Sequence, residues 1–191
     1  MARTDLYPDF SRLAASEPAE HYAITAHPGP NLNVVIIAPH GGKIEWRTSD
    51  ITRAIAGHDY SYYLFEGRKA RDNGELHITS SNFDEPQCLT LIGPARIVLG
   101  IHGCQGENAI YVGGLHVPLA DALYEALVED GLPAQRHGHR FPAIHPMNIC
   151  NRGADGAGAQ LELTLDMRQE PIAERIVAIA RRVIAEFVGR G

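Results

Sequence analysis

The stretch NVVIIAPHGG, residues 33–42, decides the fold prediction for this chain. Its apolar run from Val34 to Ala38 has no polar interruption, a pattern typical of a parallel strand that is covered on both faces. A second run, ARIVLGIHG at 95–103, has the same character and also stops at a histidine followed by a glycine. Two strands of this kind predict an α/β domain built on a parallel sheet.

The segments around these two strands alternate between helical and strand-like patterns. Asp9 is expected to cap a short helix over 10–16, and Thr48 or Ser49 to cap another that Gly57 closes. Further strands are predicted at 60–67, 75–81 and 159–167, and further helices at 118–130 and 171–188. We therefore predict one domain over 1–191, with a mixed, largely parallel central sheet and helices on both faces.

Composition excludes several classes of protein. The chain has 191 residues, of which 45% are hydrophobic and 21% charged, so it is neither disordered nor fibrous. Its net charge of −6 argues against a nucleic-acid partner. No apolar run approaches the ~20 residues that a membrane helix needs, so no membrane partner is expected either.

The cysteines and the N-terminus bear on the cellular compartment. Cys88, Cys104 and Cys150 form no CxxC motif and leave an odd count, while MARTDLYPDFSRL has acids and no apolar core. We expect a cytoplasmic location, with lysis as a route of release if the protein leaves the cell.

Two histidines are predicted to meet at one edge of the sheet. His40 and His102 end the two core strands, and ligands of open α/β sheets bind at the carboxyl ends of strands. Glu45 follows His40 across Gly41-Gly42, a loop that can fold the carboxylate back. Two imidazoles, a carboxylate and one open position are the ligand set of catalytic zinc. The alternative, histidines that only hydrogen-bond at strand ends, stays open on residue pattern alone.

Glu162 is the second carboxylate of interest. It lies within AQLELTLDM, and its spacing alone favours a solvated polar face shared with Gln160 and Thr164. A metal hydrolase nevertheless needs a base beside the attacking water, and a strand would hold such a glutamate rigidly.

Asn151 and Arg152, in NICNRG, are candidates for binding a substrate carboxylate. The arginine has a rigid fork of donors suited to a carboxylate, and the asparagine can add one more donor. Without further context, a surface arginine in a loop is the simpler interpretation.

Two other groups of histidines are less specific. His77, in ELHITSS, is interpreted as a packed histidine bonded to a neighbour. His137, His139 and His145 lie in a loop with Arg136 and Arg140, and this loop could line the rim of a cleft.

Several ordered blocks of sequence resemble one family. They are APHGGKIE at 38–45, then SDITRAIAG, YSYYLFEG, LHITSSNFDEP, IHG at 101–103, YVGGL, NICNRG and QLEL. In this order they resemble the phage-type poly-γ-glutamate hydrolases, whose members are often labelled phage-related replication proteins. The resemblance runs from about residue 33 to residue 168.

This resemblance implies a zinc carboxypeptidase-like fold and a zinc cofactor held by His40, Glu45 and His102. It also implies that Glu162 is the general base and that the substrate is the γ-amide between glutamates in poly-γ-glutamate. The net charge of −6 opposes binding of a polyanion, which leaves a smaller γ-glutamyl amide open as the substrate. Zinc carboxypeptidases themselves have H-x-x-E instead of H-x-x-x-x-E, and their Asn-Arg clamp precedes the last histidine ligand. The clamp formed by Asn151 and Arg152 is therefore an analogy of chemistry.

Three other functions remain open. The first is a metallopeptidase or amidase that acts on another carboxylate-bearing amide. The second is a cysteine hydrolase that uses Cys104 or Cys150 as nucleophile. The third is a non-catalytic, phage-derived binding module.

Overall fold

Seven strands form one mixed sheet. The computed structural model of the chain describes residues 5–189. The strands are β1 Tyr22–His27, β2 Asn31–Gly42, β3 Tyr60–Gly67, β4 Ile97–Gly103, β5 Ile110–Gly113, β6 Ala134–Gln135 and β7 Ala159–Leu163. Their order across the sheet is β1-β3-β2-β4-β7-β5-β6. The four central strands run parallel, whereas β1 and β5 are antiparallel to β3 and β7. The predicted mixed, largely parallel sheet is confirmed.

Helices cover both faces of this sheet, as predicted. They are α1 Phe10–Ser16, α2 Thr48–Ala56, α3 Pro86–Ile92, α4 Val117–Glu129 and α5 Ile172–Val188. The helices α2, α4 and α5 pack on one face, and the short α1 and α3 pack on the other.

Alternate side chains of β2 explain its continuous apolar sequence. Val34 and Ile36 enter the core beneath α2 and α5, while Val35 and Ile37 enter the core beneath α1 and α3. All four are fully buried. Each contributes roughly 1.5–3 kcal/mol from burial, so the strand is anchored from both sides.

The prediction of a strand at 75–81 is wrong. Residues Asn73–Leu76 form a 3-10 helix, and the chain continues without strand pairing. The apolar alternation there arises because Leu76 and Ile78 both enter the core on the α1 side. The outer edge of β3 pairs with β1, a strand that the sequence patterns did not predict.

Two predicted boundaries also differ. The strand predicted over 159–167 ends at Leu163, because the Asp166 carboxylate accepts a bond from the Thr164 hydroxyl (2.6 Å) and starts a 3-10 turn. Helix α2 has Arg47 in the cap position, in the left-handed region (φ 69°), instead of Thr48 or Ser49. The Thr48 hydroxyl donates instead to the Glu45 carbonyl (2.7 Å).

Two observations bear on the membrane and on the cysteines. Among residues 5–189, no helix is both long and apolar enough to cross a bilayer. Cys88, Cys104 and Cys150 are all free.

Candidate metal centre and cleft

His40 and His102 lie together at the carboxyl ends of neighbouring strands. β2 and β4 pair in parallel from Val34 with Ile97 to Ile37 with Gly100, which brings both strand ends to one edge. Both histidines are buried, and their Nδ1 atoms are 3.1 Å apart.

The glycine loop folds Glu45 back onto this pair. Gly42 has a φ of 62°, and a Cβ on Gly41 would lie 2.2 Å from the Ser49 hydroxyl oxygen, so both positions favour glycine. The Glu45 amide donates to the His40 carbonyl (2.9 Å). One carboxylate oxygen of Glu45 lies 3.2 Å from His40 Nδ1 and the other 3.6 Å from His102 Nδ1.

The donor atoms of this cluster fit a zinc ion. Ligand atoms on a tetrahedral zinc at ~2.0–2.1 Å are roughly 3.3 Å from one another. The two Nδ1 atoms are 3.1 Å apart, and each faces a different oxygen of the Glu45 carboxylate at 3.2 Å or 3.6 Å. The Ile78 carbonyl lies 2.7 Å from His40 Nε2 and can only accept, so Nε2 carries the proton and a neutral His40 offers its Nδ1 lone pair.

The electrostatics of the cluster also favour a cation. Burial alone would raise the pKa of Glu45, but the His40 and His102 imidazoles outweigh it and lower that pKa. Burial opposes charge on His102, yet the hydrogen bond to Glu45 and the charge of Glu162 raise its pKa. Positive charge between these groups is therefore stabilised, whether it comes from a proton or a metal ion.

His77 forms a second layer beside His40. The two rings stack with centroids 4.0 Å apart, and the Asp5 carboxylate accepts from His77 Nδ1 (2.7 Å) and from the Thr79 amide (2.6 Å). The positive charge that a protonated His40 would carry, together with burial, lowers the pKa of His77 to about 4. His40, Glu45 and His77 also offer ligand atoms within 4.8 Å of one another. Both sets share His40 and Glu45, and they differ in whether His102 or His77 supplies the third ligand.

Glu162 stands next to His102 on the adjacent strand. The two residues are register partners in the parallel pairing of β4 and β7, so their side chains leave the same face of the sheet. Glu162 is 8% exposed and accepts from the Gln160 amide (3.3 Å). Burial raises the pKa of Glu162 to about 7, a value suited to proton transfer at neutral pH. Gln160 and Thr164 are buried too, so this face of β7 is not solvated.

Asn151 and Arg152 have other partners in the fold. The Asn151 side chain is buried and bonds to backbone groups of Ala143, His145, Leu115 and Gly158. Arg152 donates to the Phe83 carbonyl (3.2 Å). Neither lines the cleft beside Glu45. Their role in binding a carboxylate stays a prediction.

A cleft of about 310 Å³ opens beside Glu45. Its lining residues are Ile44, Glu45, Trp46, Gly74, His77, Gly103, Cys104, Gln105, Leu165 and Arg168. Glu45 is the one member of the predicted site in this lining. Arg168 was not predicted as a site residue, because it follows β7 in a segment without a motif. Only the tertiary structure brings it next to Glu45.

The loop rich in histidine and arginine reaches the cleft through one residue. Arg140 donates to the Gln105 carbonyl (3.1 Å) and stacks on Phe141. Arg136 instead pairs with Asp121 (2.7 Å) and lines a separate hollow with His137.

The two candidate cysteine nucleophiles lack activation. Burial raises the pKa of Cys104 and of Cys150 to about 12, so both are neutral thiols near pH 7. The described hydrogen bonds pair neither sulfur with a histidine; Cys150 Sγ contacts the Asn151 side chain at 3.5 Å.

Comparison with known proteins identifies the family. Residues 7–182 match the family model described as poly-gamma-glutamate hydrolase. The chain belongs to this family. This poly-gamma-glutamate hydrolase family member is 38% identical to the UPF0714 protein YmaC of Bacillus subtilis (strain 168), over 86% of this chain and 71% of YmaC. It is 36% identical to YndL of the same strain, over 86% of this chain and 66% of YndL.

Two solved structures share the fold. Bacteriophage poly-gamma-glutamate hydrolase superposes with a TM-score of 0.93 at 27% identity, covering 98% of this chain and 100% of that one. A zinc-free form of YndL superposes with a TM-score of 0.90 at 31% identity, covering 96% and 99%. The predicted fold class and the family resemblance are confirmed, and the chain is a hydrolase by family.

Proposed function

We propose that this chain is a zinc-dependent hydrolase of the γ-amide bonds in poly-γ-glutamate. The observation that carries the proposal is the convergence of His40 Nδ1, His102 Nδ1 and the Glu45 carboxylate, with separations of 3.1–3.6 Å, beside the buried Glu162. Membership of the poly-gamma-glutamate hydrolase family supports the substrate class. The zinc-free form of YndL is consistent with zinc as the metal.

Each residue of the centre has a separate task in this proposal. His40, His102 and Glu45 hold the ion. Zinc, when bound, supplies a Lewis acid that activates water and polarises the amide carbonyl at neutral pH. Glu162 takes a proton from the attacking water onto its carboxylate. As the carbon–nitrogen bond breaks, the same carboxyl returns that proton to the leaving amine, which leaves a γ-carboxylate on one fragment.

Metal analysis combined with chelation tests the zinc dependence. We expect about one zinc per chain by mass spectrometry and loss of poly-γ-glutamate cleavage after treatment with a chelator. Adding zinc back should restore cleavage, measured as shortening of the polymer by size-exclusion chromatography. Cleavage that survives complete removal of the metal would overturn the proposal.

α-Linked polyglutamate is a matched control substrate, because it has the same charge per residue but a different amide. Hydrolysis of the γ-linked polymer alone is the expected result. Preference for the α-linked polymer would favour a metallopeptidase. Binding of the γ-linked polymer without cleavage by zinc-loaded protein would favour a non-catalytic module.

The three free cysteines support a reducing compartment, and we propose a cytoplasmic location on that basis. Fractionation of the producing cells tests this location, and recovery of the protein outside intact cells would argue against it.

A further inference from the structure

We propose that Arg168 binds a substrate α-carboxylate next to the scissile amide, an inference that rests on the proposed function. Arg168 ends the 3-10 turn Asp166–Arg168 that follows β7. It lines the same cleft as Glu45 although only 6% of the residue is exposed. An arginine this buried requires either a partner within the protein or an anionic ligand.

The described partners of Arg168 within the protein leave most of its N–H donors without a direct acceptor. Among residues 5–189, no carboxylate oxygen lies within 4.0 Å of its guanidinium nitrogens, whereas Arg47 pairs with Glu170 and Arg136 pairs with Asp121. The described hydrogen bonds of the Arg168 side chain consist of one, to the Trp46 carbonyl. Its Nε is buried without a partner. A guanidinium has five N–H donors in a planar fork, so Arg168 keeps donors for a carboxylate.

Gly103 sets the position of this guanidinium relative to the metal centre. The Gly103 amide donates to a carboxylate oxygen of Glu45 (2.8 Å), and a Cβ on Gly103 would lie 2.7 Å from Arg168 Cζ. One glycine therefore separates the guanidinium from a proposed metal ligand. A carboxylate held by Arg168 would sit close to the reacting amide, as the α-carboxylates of γ-linked glutamate do.

The mouth of the cleft matches the remainder of such a substrate. Trp46 is 52% exposed and Leu165 is 48% exposed, and both line the cleft above Arg168. Each residue of γ-linked glutamate carries one α-carboxylate and places two methylene groups in the main chain. Apolar rim residues beside a buried cation suit this combination.

The test compares two substrates that differ in one group. A short γ-linked glutamate oligomer with free α-carboxylates is compared with the same oligomer carrying α-carboxamides. We expect the wild-type enzyme to prefer the carboxylate form by about ten- to a hundredfold in kcat/KM, the loss expected for one charge-assisted contact. Arg168→Gln should bring the two substrates to within a few-fold, through loss on the carboxylate form alone. Arg168→Lys keeps the charge without the fork of donors, so its preference for the carboxylate substrate should lie between those of the wild type and Arg168→Gln.

Arg96→Gln is the matched control. Arg96 precedes β4, at the opposite end of that strand from His102, and pairs with Asp155 (3.3 Å) on the surface. Arg96→Gln should keep the full wild-type preference for the carboxylate substrate. Zinc content and thermal denaturation of each variant identify any loss that comes from misfolding, and Arg168→Lys carries the test if Arg168→Gln does not fold.

Binding measurements separate this inference from the proposed function. Titration calorimetry with the carboxylate oligomer should show weaker binding to Arg168→Gln than to the wild type, whether or not the oligomer is cleaved. Wild-type affinity in folded Arg168→Gln, or an unchanged preference between the two substrates, would overturn the role of Arg168. Tight binding that depends on Arg168 without any cleavage would overturn the proposed hydrolysis alone.

Discussion

His102 and Glu162 are direct register partners on the parallel strands β4 and β7. Neighbouring strands lie ≈ 4.8 Å apart, and residues paired in register send their side chains to the same face. The hydrogen bonds of the sheet therefore fix the position of the proposed base relative to a proposed zinc ligand. A base held in this way needs no loop movement to reach the reacting atoms.

Glu162→Gln should abolish catalysis and leave the metal in place. The substitution keeps the shape of the side chain and its contact with Gln160 but removes the proton acceptor. Loss of a general base commonly lowers kcat by ~10²–10⁴-fold. Turnover and zinc content are measured on the same preparation, with Glu107→Gln on the exposed surface as control. Normal turnover with full zinc would remove Glu162 from the mechanism, and lost zinc would make it a ligand.

His102→Ala and His77→Ala distinguish the two possible ligand sets. We expect His102→Ala to lose high-affinity zinc and His77→Ala to retain it, because His102 Nδ1 faces His40 Nδ1 at 3.1 Å whereas His77 Nδ1 already bonds to the Asp5 carboxylate. His40 belongs to both ligand sets, so His40→Ala should lose zinc in either case. Metal content by mass spectrometry and thermal denaturation provide the two readouts. Retained zinc in His102→Ala with lost zinc in His77→Ala would reverse the assignment.

The parts of the fold that were predicted correctly depend on local sequence. β2 and β4 are continuous apolar runs because both of their faces are buried, and Tyr60–Gly67 was predicted with its observed bounds. The helix α5 has a long apolar stripe that matches its burial. β1, β5, β6 and α3 were missed. β5, β6 and α3 have only four, two and seven residues, and β1 is only partly buried, so none of them gives a clear apolar pattern.

His40 and His102 could be predicted as site residues because each lies at the end of a strand. Arg168 could not, because its position in the site depends on the tertiary structure. Each histidine follows an apolar run directly, so the geometry of a parallel sheet places both at one edge. Arg168 contributes no such signal. Its importance comes from burial beside Gly103 and from the absence, among the described residues, of a carboxylate within 4.0 Å of its guanidinium nitrogens. Both are visible only once the chain is folded.

Alkylation should leave the enzyme active. Cys104 and Cys150 have pKa values raised by burial to about 12, and the thiolate is the form that reacts with iodoacetamide. Poly-γ-glutamate cleavage should therefore be unchanged after iodoacetamide at pH 7, while chelator removes it. Cys104→Ser provides a control for slow modification of the half-buried thiol. Rapid inactivation by iodoacetamide that Cys104→Ser prevents would instead favour a cysteine hydrolase mechanism.

Asn151→Ala should destabilise the fold far more than it changes the chemistry. The Asn151 amide nitrogen donates to the Ala143 carbonyl (2.7 Å) and the His145 carbonyl (3.0 Å), and its oxygen accepts from the amides of Leu115 (3.2 Å) and Gly158 (3.0 Å). These bonds join three separate segments around β7.

Removing the side chain would leave several buried backbone groups without partners, each costing ~1–3 kcal/mol, so we expect a net loss of roughly 3 kcal/mol or more in the free energy of unfolding. Urea denaturation measures this loss, with Asn82→Ala at an exposed position expected to stay within about 0.5 kcal/mol of the wild type. If Asn151 instead clamps a substrate carboxylate, stability would stay near that of the wild type. In that case kcat/KM would fall about ten- to a hundredfold, the loss expected for one charge-assisted contact.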